Sequence, residues 1–238
     1  HNSSFTFGRF VNQKKRSLAK IRLRLMNKIG DELNKNKALE KSDWVIAARA
    51  ILISVGHSGL SLRRISSHLG ATTGAFYWLF SNLEDLLNDL RDDWARENSI
   101  AFDRVFNDAS LDSYAKYLGY VRVLLSEDDY NPQYDNAIRD WAYSSEPTAQ
   151  ILRTIDAKRI NQLADMFKEI GFDQRSARVR ARVTYFHQSG YYRMGINETL
   201  EERLVDIPYY SEILLGNNFI SPDHDLEEIR RRIFGEKS

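Results

Sequence analysis

Apolar residues recur along most of this chain at three- and four-residue steps, the spacing that stacks side chains on one face of a helix. Between Asp43 and Gly56, Trp44, Ala47, Ala48, Ile51, Leu52 and Val55 fall on such a face, and the glycine ends the run. A second helix is predicted from Ser61 to about His68, with Leu62, Ile65 and Leu69 on its apolar side, followed by a tight turn at Gly70. Thr72 then caps a third short helix that carries Gly74, Ala75, Phe76, Tyr77 and Trp78. Ser81 and Glu84 have the spacing of a capping box, and the helix they open continues through Leu86, Leu87, Leu90 and Trp94. Two short helices joined by a glycine turn, the second free to enter a groove, are a DNA-reading device.

The rest of the chain reads as helix too. The helix through Trp94 reaches Phe106 or Asn107, and Leu111 to Ser126 carries Tyr114, Tyr117, Leu118, Val121 and Leu125 on one side. Glu127-Asp128-Asp129 belongs to a loop, and Pro132 opens a helix from Gln133 to Ser144 with Tyr134, Ile138, Trp141 and Ala142. Pro147 starts a long helix that Gly171 closes after Ile170, and Asp173 caps another running to about Met194. Residues 198–234 hold two shorter helices around Pro208 and Pro222. The expected class is all-α: a helix-turn-helix domain of three helices followed by a helical body.

The order of the first four helices, an Ala47-Ala48 pair, the glycine turn and the run Thr72-x-Gly74-Ala75-Phe76-Tyr77-x-x-Phe80 closely resemble the tetracycline-repressor (TetR) family of bacterial regulators over residues 43–95. The stretch AIRDWAYSSEP, residues 137–147, resembles the C-terminal part of one TetR subgroup more loosely. The resemblance implies a domain boundary pattern of a basic extension over 1–41, a DNA-binding domain over 42–88 and a ligand-binding and dimerisation domain over 89–238. It also implies a transcriptional regulator, a repressor by expectation, that binds a palindromic double-stranded operator as a homodimer and leaves it when a small molecule binds.

Charge sharpens that picture. The net charge of +1 divides into fourteen Lys or Arg against four Asp or Glu before residue 81, and twenty against twenty-nine after it. A basic front on an acidic body suits a nucleic-acid reader. Eight of the basic residues lie between Arg9 and Lys28 with no acidic residue among them. Two readings fit that arm: an extra phosphate-binding or minor-groove segment, or an amphipathic helix laid on the protein's own body.

Carried over by the resemblance, Ser61 caps the second helix and meets a phosphate, and Thr72 and Thr73 open the recognition helix. Gly74 lets the backbone approach, and the Tyr77 hydroxyl reaches phosphate. Trp78 points the same way, while Phe76 and Phe80 match packing positions. Thr73, Leu79 and Leu83 depart from the family, in which many members have Lys, His and Lys or Arg there. The uncharged set implies a weaker phosphate grip, for which Arg49, Arg63, Arg64 and the arm are the expected compensation. The alternative is a ligand- or partner-binding TetR-like protein with weak or non-specific DNA binding.

The expected dimer surface is the helix pair 147–170 and 173–194, where Ile151, Leu152, Ile155 and Leu163 exceed one inner face and Ala177, Ala181, Ser189 and Gly190 permit close approach. Candidate ligand residues are aromatics with polar tips, Tyr114, Tyr117, Tyr120, Trp141, Tyr185, His187, Tyr191 and Tyr192, with Arg139 as an anion partner; all of them equally suit an ordinary core. The chain has no cysteine, so thiol catalysis and thiolate metal sites are excluded. No nucleophile elbow, phosphate loop, dinucleotide fingerprint or H-E-x-x-H run is present. The expectation is a non-enzymatic cytoplasmic protein without cofactor, metal or membrane association.

Overall fold

The computed structural model describes residues 39–126, 130–217 and 219–235, so the basic arm at 9–28 and the Glu127-Asp128-Asp129 loop lie outside the described residues. Residues 41–238 form one compact unit. Among the described residues it contains ten α-helices and no strand: α1 Lys41–Val55, α2 Leu62–Leu69, α3 Thr73–Tyr77, α4 Leu83–Phe106, α5 Ser113–Ser126, α6 Pro132–Ala142, α7 Glu146–Ile170, α8 Gln174–Met194, α9 Leu200–Leu215 and α10 Leu226–Phe234. No described helix is long and apolar enough to cross a membrane.

Two apolar centres organise the unit. At the front, Trp44 of α1 meets Phe76 of α3 edge-on at 5.2 Å, and Phe76 stacks on Phe80 at 5.1 Å. These rings, with Ile65, Leu86 and Leu90, are fully or almost fully buried. In the body, Phe102, Tyr117, Tyr120, Leu163, Phe167 and Leu204 belong to one continuous core. Helix α4 runs unbroken through residues 88 and 89, touching α1 at one end and α5 and α7 further along. Where α4 crosses α5 the backbones come so close that a Cβ on Gly119 would lie 2.7 Å from Val105 Cγ1.

Helix ends follow their capping chemistry. Gly70 closes α2 in the left-handed region at φ 63°, which a glycine adopts without steric cost. The cap of α4 is displaced by one residue from the sequence expectation: Asn82 Oδ1 accepts from the Asp85 amide at 3.1 Å, and Asp85 accepts from the Ser81 amide at 3.1 Å. Asn82 is as good an N-cap as serine, and Glu84 is drawn away to Arg91 at 2.7 Å. Val55, expected inward, is about half exposed, since α1 ends there and the chain turns at Gly56. Pro208 does not divide the tail; it lies inside α9. That helix opens with a full capping box, Thr199 with Glu202, a T-x-x-E spacing visible in the sequence.

The outer face of α7 is polar, presenting Gln150, Arg153, Thr154, Lys158, Asn161 and Asp165. The expected dimer surface, helices 147–170 and 173–194, thus has a polar outer face on α7. These two helices pack chiefly on each other, with Leu163, Ala177 and Ala181 fully buried between elements of the same chain. The apolar surface left open lies instead on α8 and α9, at Val179, Val183 and Phe186 and at Val205, Tyr209 and Ile213.

Candidate nucleic-acid interface and cavity

Helix α3 is one and a half turns long, and its sequence sorts the side chains sharply. Phe76 is 0% exposed, whereas Tyr77 is 61% and Trp78 90% exposed. Thr72 Oγ1 accepts from the Ala75 amide at 3.2 Å, which fixes the start of the helix and leaves Thr73 in solvent. Ser61 caps α2 in the same way, accepting from the Arg64 amide at 3.4 Å, with Arg63 and Arg64 exposed beside it. A Cβ on Gly74 would meet nothing of the chain closer than Thr72 Oγ1 at 3.7 Å. The fold does not need a glycine there. An indole left bare on a front surface with hydroxyls and two guanidinium groups nearby has the chemistry to meet sugar, thymine methyl and phosphate.

Arg49 is placed differently from expectation. Its guanidinium donates to both oxygens of the buried Asp93 carboxylate, at 2.7 and 2.5 Å, and lies over the Tyr134 ring. It therefore ties α1 to α4 and α6, and its charge is already matched by Asp93. Leu79 and Leu83 are partly buried.

The body holds a cavity of about 290 Å3 between α5, α8 and α9. Of the candidates, Tyr117, Tyr120, His187, Tyr191 and Tyr192 line it, and Gln188 and Tyr210 join them. Its polar groups are largely occupied with each other. Tyr117 bonds Ser211 at 3.1 Å, Tyr120 donates to Gln188, and His187 bonds the Tyr210 hydroxyl at 3.1 Å. Burial pushes the Tyr117 hydroxyl up to about 12 against the pull of Ser211, so it stays protonated. Burial also lowers the His187 pKa, favouring the neutral ring. Val121, Leu124, Leu125, Ile207 and Leu214 give the walls an aliphatic stretch, and Glu198, Arg203 and Asp206 add charged groups to them.

The other candidates do not reach this cavity. Tyr114 bonds Asn217 at 3.1 Å and packs on Phe219. Trp141 is buried beneath Arg91, whose guanidinium sits 4.6 Å from the ring. Arg139 donates to Asp135 at 2.7 Å, Asp156 at 3.1 and 2.8 Å and Tyr185 at 2.9 Å. Burial opposes its charge, and the two carboxylates outweigh that cost. Four of its five N–H donors are thus engaged within the chain, and its charge is matched by two carboxylates. Sequence reasoning missed Gln188 because a single amide on an aromatic-rich helix carries no periodic signal. In the tail, Asp225 caps α10, accepting from the Glu228 amide at 2.8 Å.

Comparison with known proteins agrees with this geometry. Residues 46–90, which span most of α1 through the first turns of α4, match the family of bacterial regulatory proteins, tetR family. No curated protein matches the chain. A transcriptional regulator from Rhodococcus sp. Rha1 of known crystal structure shares the fold, with a TM-score of 0.56 and 18% identity over 74% of this chain and 92% of that one. The helix-turn-helix segment, residues 46–90, thus matches the tetR family of bacterial regulatory proteins.

Proposed function

We propose that this regulator is a homodimeric repressor that reads a palindromic operator and is released from it by a small molecule. The observation that carries the reading is the sorting on α3: Thr73, Tyr77 and Trp78 face solvent while Phe76 and Phe80 anchor the helix. One such helix makes few base contacts, so two copies would read half-sites about 34–36 Å apart or a multiple of that. Ser61, Arg63, Arg64, Thr72, Thr73, Gly74, Tyr77 and Trp78 form the proposed DNA-binding set. Arg49 leaves it, because its charge is spent on Asp93. Tyr117, His187 and Tyr191 stay in the proposed ligand set. Release follows from a population shift: an occupant that favours one packing of α5, α8 and α9 changes the spacing of the two readers.

The test is a salt-titrated binding assay against the promoter region of the protein's own gene. Specific binding with a steep salt dependence supports the reading; uniformly weak binding to all sequences favours a TetR-like protein that acts through a ligand or partner alone. Removing residues 1–40 tests the basic arm. The expected result is weaker binding and a shallower salt slope, and an unchanged slope would take the arm off the DNA.

A further inference from the structure

A second cleft, of about 430 Å3, lies where α1 meets α4 and the start of α6. It shares no lining residue with the cavity between α5, α8 and α9. Arg49 of α1, Trp94 and Asn98 of α4, and Gln133 and Tyr134 of α6 line it, together with the exposed Glu97.

Helix α4 supplies the central pair. Trp94 and Asn98 stand four residues apart, so they follow each other on one face of the helix, about 6 Å apart along its axis. They are only 1% and 8% exposed, and among the described residues Trp94 Nε1 and Asn98 Oδ1 have no hydrogen-bond partner. The Asn98 amide is held this way round by Asp135, to which Nδ2 donates at 3.2 Å; reversed, oxygen would face oxygen. Arg49 adds a third such atom, because one of its terminal nitrogens holds Asp93 while its buried Nε has no partner. Two donors and one acceptor are thus gathered at one cleft unpaired, and each carries the desolvation cost of a buried polar group.

That pattern selects an occupant. Both charges in the lining are matched, Arg49 by Asp93 at 2.5 Å and Glu97 by Arg96 at 3.4 Å, so an ion of either sign would lose its hydration with no free counter-charge in return. A carbonyl oxygen has two lone pairs and can accept from both N–H groups, and an N–H beside it can donate to the asparagine oxygen. A cis amide, as in a lactam or a cyclic ureide, presents that carbonyl and that N–H on one edge.

We infer that this cleft is a second small-molecule site, separate from the cavity proposed for the effector, and that it takes a neutral cyclic amide. The ligand carbonyl accepts from Trp94 and Arg49, and its N–H donates to Asn98. An occupant touches α1 of the DNA-reading segment and α4 and α6 at once, beside the tie between Arg49 and Asp93, and so holds the three helices in one arrangement. Binding there needs neither DNA nor the effector.

The test uses the full chain and 2-piperidone, a six-membered lactam, followed by the indole N–H resonances of isotope-labelled protein. The chain has four tryptophans, Trp44, Trp78, Trp94 and Trp141, and Trp94→Phe assigns the peak of interest. The Trp94 peak is expected to move downfield and saturate, well beyond the other three, with a dissociation constant on the order of 1 mM. Trp94→Phe removes a donor that has no partner, so it should be at least as stable as wild type. It should nevertheless bind 2-piperidone at least about fivefold more weakly by ligand-observed resonance. Gln133→Trp crowds the cleft from an exposed position and is expected to lose the probe. N-methyl-2-piperidone keeps the carbonyl and lacks the N–H, and should bind at least about fivefold more weakly than 2-piperidone. Cyclopentanecarboxylate and piperidinium, ions of similar size, should bind more weakly still. A Trp94 peak that does not move, undiminished binding by Trp94→Phe or Gln133→Trp, equal binding of the N-methyl lactam, or tighter binding of either ion would each overturn the inference. Loss of operator binding alone would count against the regulator reading and leave these results standing.

Discussion

Arg49 on α1 and Asp93 on α4 are joined through one guanidinium nitrogen that reaches both carboxylate oxygens, at 2.7 and 2.5 Å. Asp93 is buried and also accepts from Arg96 at 2.7 Å and from the Tyr134 hydroxyl at 3.1 Å. The first helix of the DNA-reading segment is thereby fastened to the helix that leads into the body, at a point where α6 also makes contact. A shift of α4 would carry α1 with it.

Arg49→Met should therefore act on stability and not on phosphate. It removes one of three partners of a buried carboxylate, a loss of roughly 1–3 kcal/mol in urea unfolding. The salt slope of DNA binding should stay as in wild type. A slope smaller by about one unit would return Arg49 to the DNA interface.

The displaced cap of α4 gives a second test. Asn82→Ala removes the acceptor of the Asp85 amide and should cost about 0.5–2 kcal/mol. Ser81→Ala should change stability by no more than about 0.5 kcal/mol, because only the Ser81 backbone takes part in the cap. The reverse order would restore the serine cap that the sequence spacing suggested.

Periodicity carried most of the fold. Trp44, Ala48, Ile65, Phe76 and Leu90 are buried where their spacing put them, because a helix face is a local property that needs no knowledge of its partner. The candidates Tyr77 and Trp78 on α3 came from the resemblance to the TetR family, and both lie exposed beside the buried Phe76. Arg49, Arg139 and Trp141 were not legible. Their environments are set by Asp93, Asp156 and Arg91, which come from other helices and leave no mark in the local pattern. Ile151, Leu152 and Ile155 of α7, which the sequence offers to a second copy, are half-buried within the single chain, and α7 packs on α4 and α6.

Acid should loosen the contact between α4 and α7. Burial pushes the Asp103 carboxyl up, but hydrogen bonds from Lys158 and Gln162 and the charge of Lys158 bring it below its ordinary value. The folded state thus binds this proton less readily than the unfolded chain. Its contribution is fully present above the usual carboxylate range, about pH 4, and is lost as pH falls through the lowered folded value. Asp103→Asn is expected to lower stability at pH 7 and to make unfolding less sensitive to pH below about 4 than in wild type. An acid limb identical to wild type would show that this carboxylate carries none of it.

The sharpest separation of folding from reading lies within three consecutive residues. Phe76 packs against Trp44, Tyr77 and Phe80 with no exposed surface, so Phe76→Ala should cost about 3–5 kcal/mol and abolish DNA binding only by unfolding the front of the chain. Trp78 is 90% exposed and can be removed almost without effect on stability, within about 0.5 kcal/mol. If α3 reads DNA, Trp78→Ala and Tyr77→Phe should weaken operator binding in a protein that melts like wild type. Their signatures should also differ. Loss of a tyrosine hydroxyl from phosphate lowers affinity for all sequences alike, whereas loss of an indole from a base methyl relaxes discrimination at one position of each half-site. Competition binding against single-base operator variants measures both. Wild-type affinity and discrimination in the Tyr77→Phe, Trp78→Ala double variant would mean that this exposed pair faces something other than a duplex.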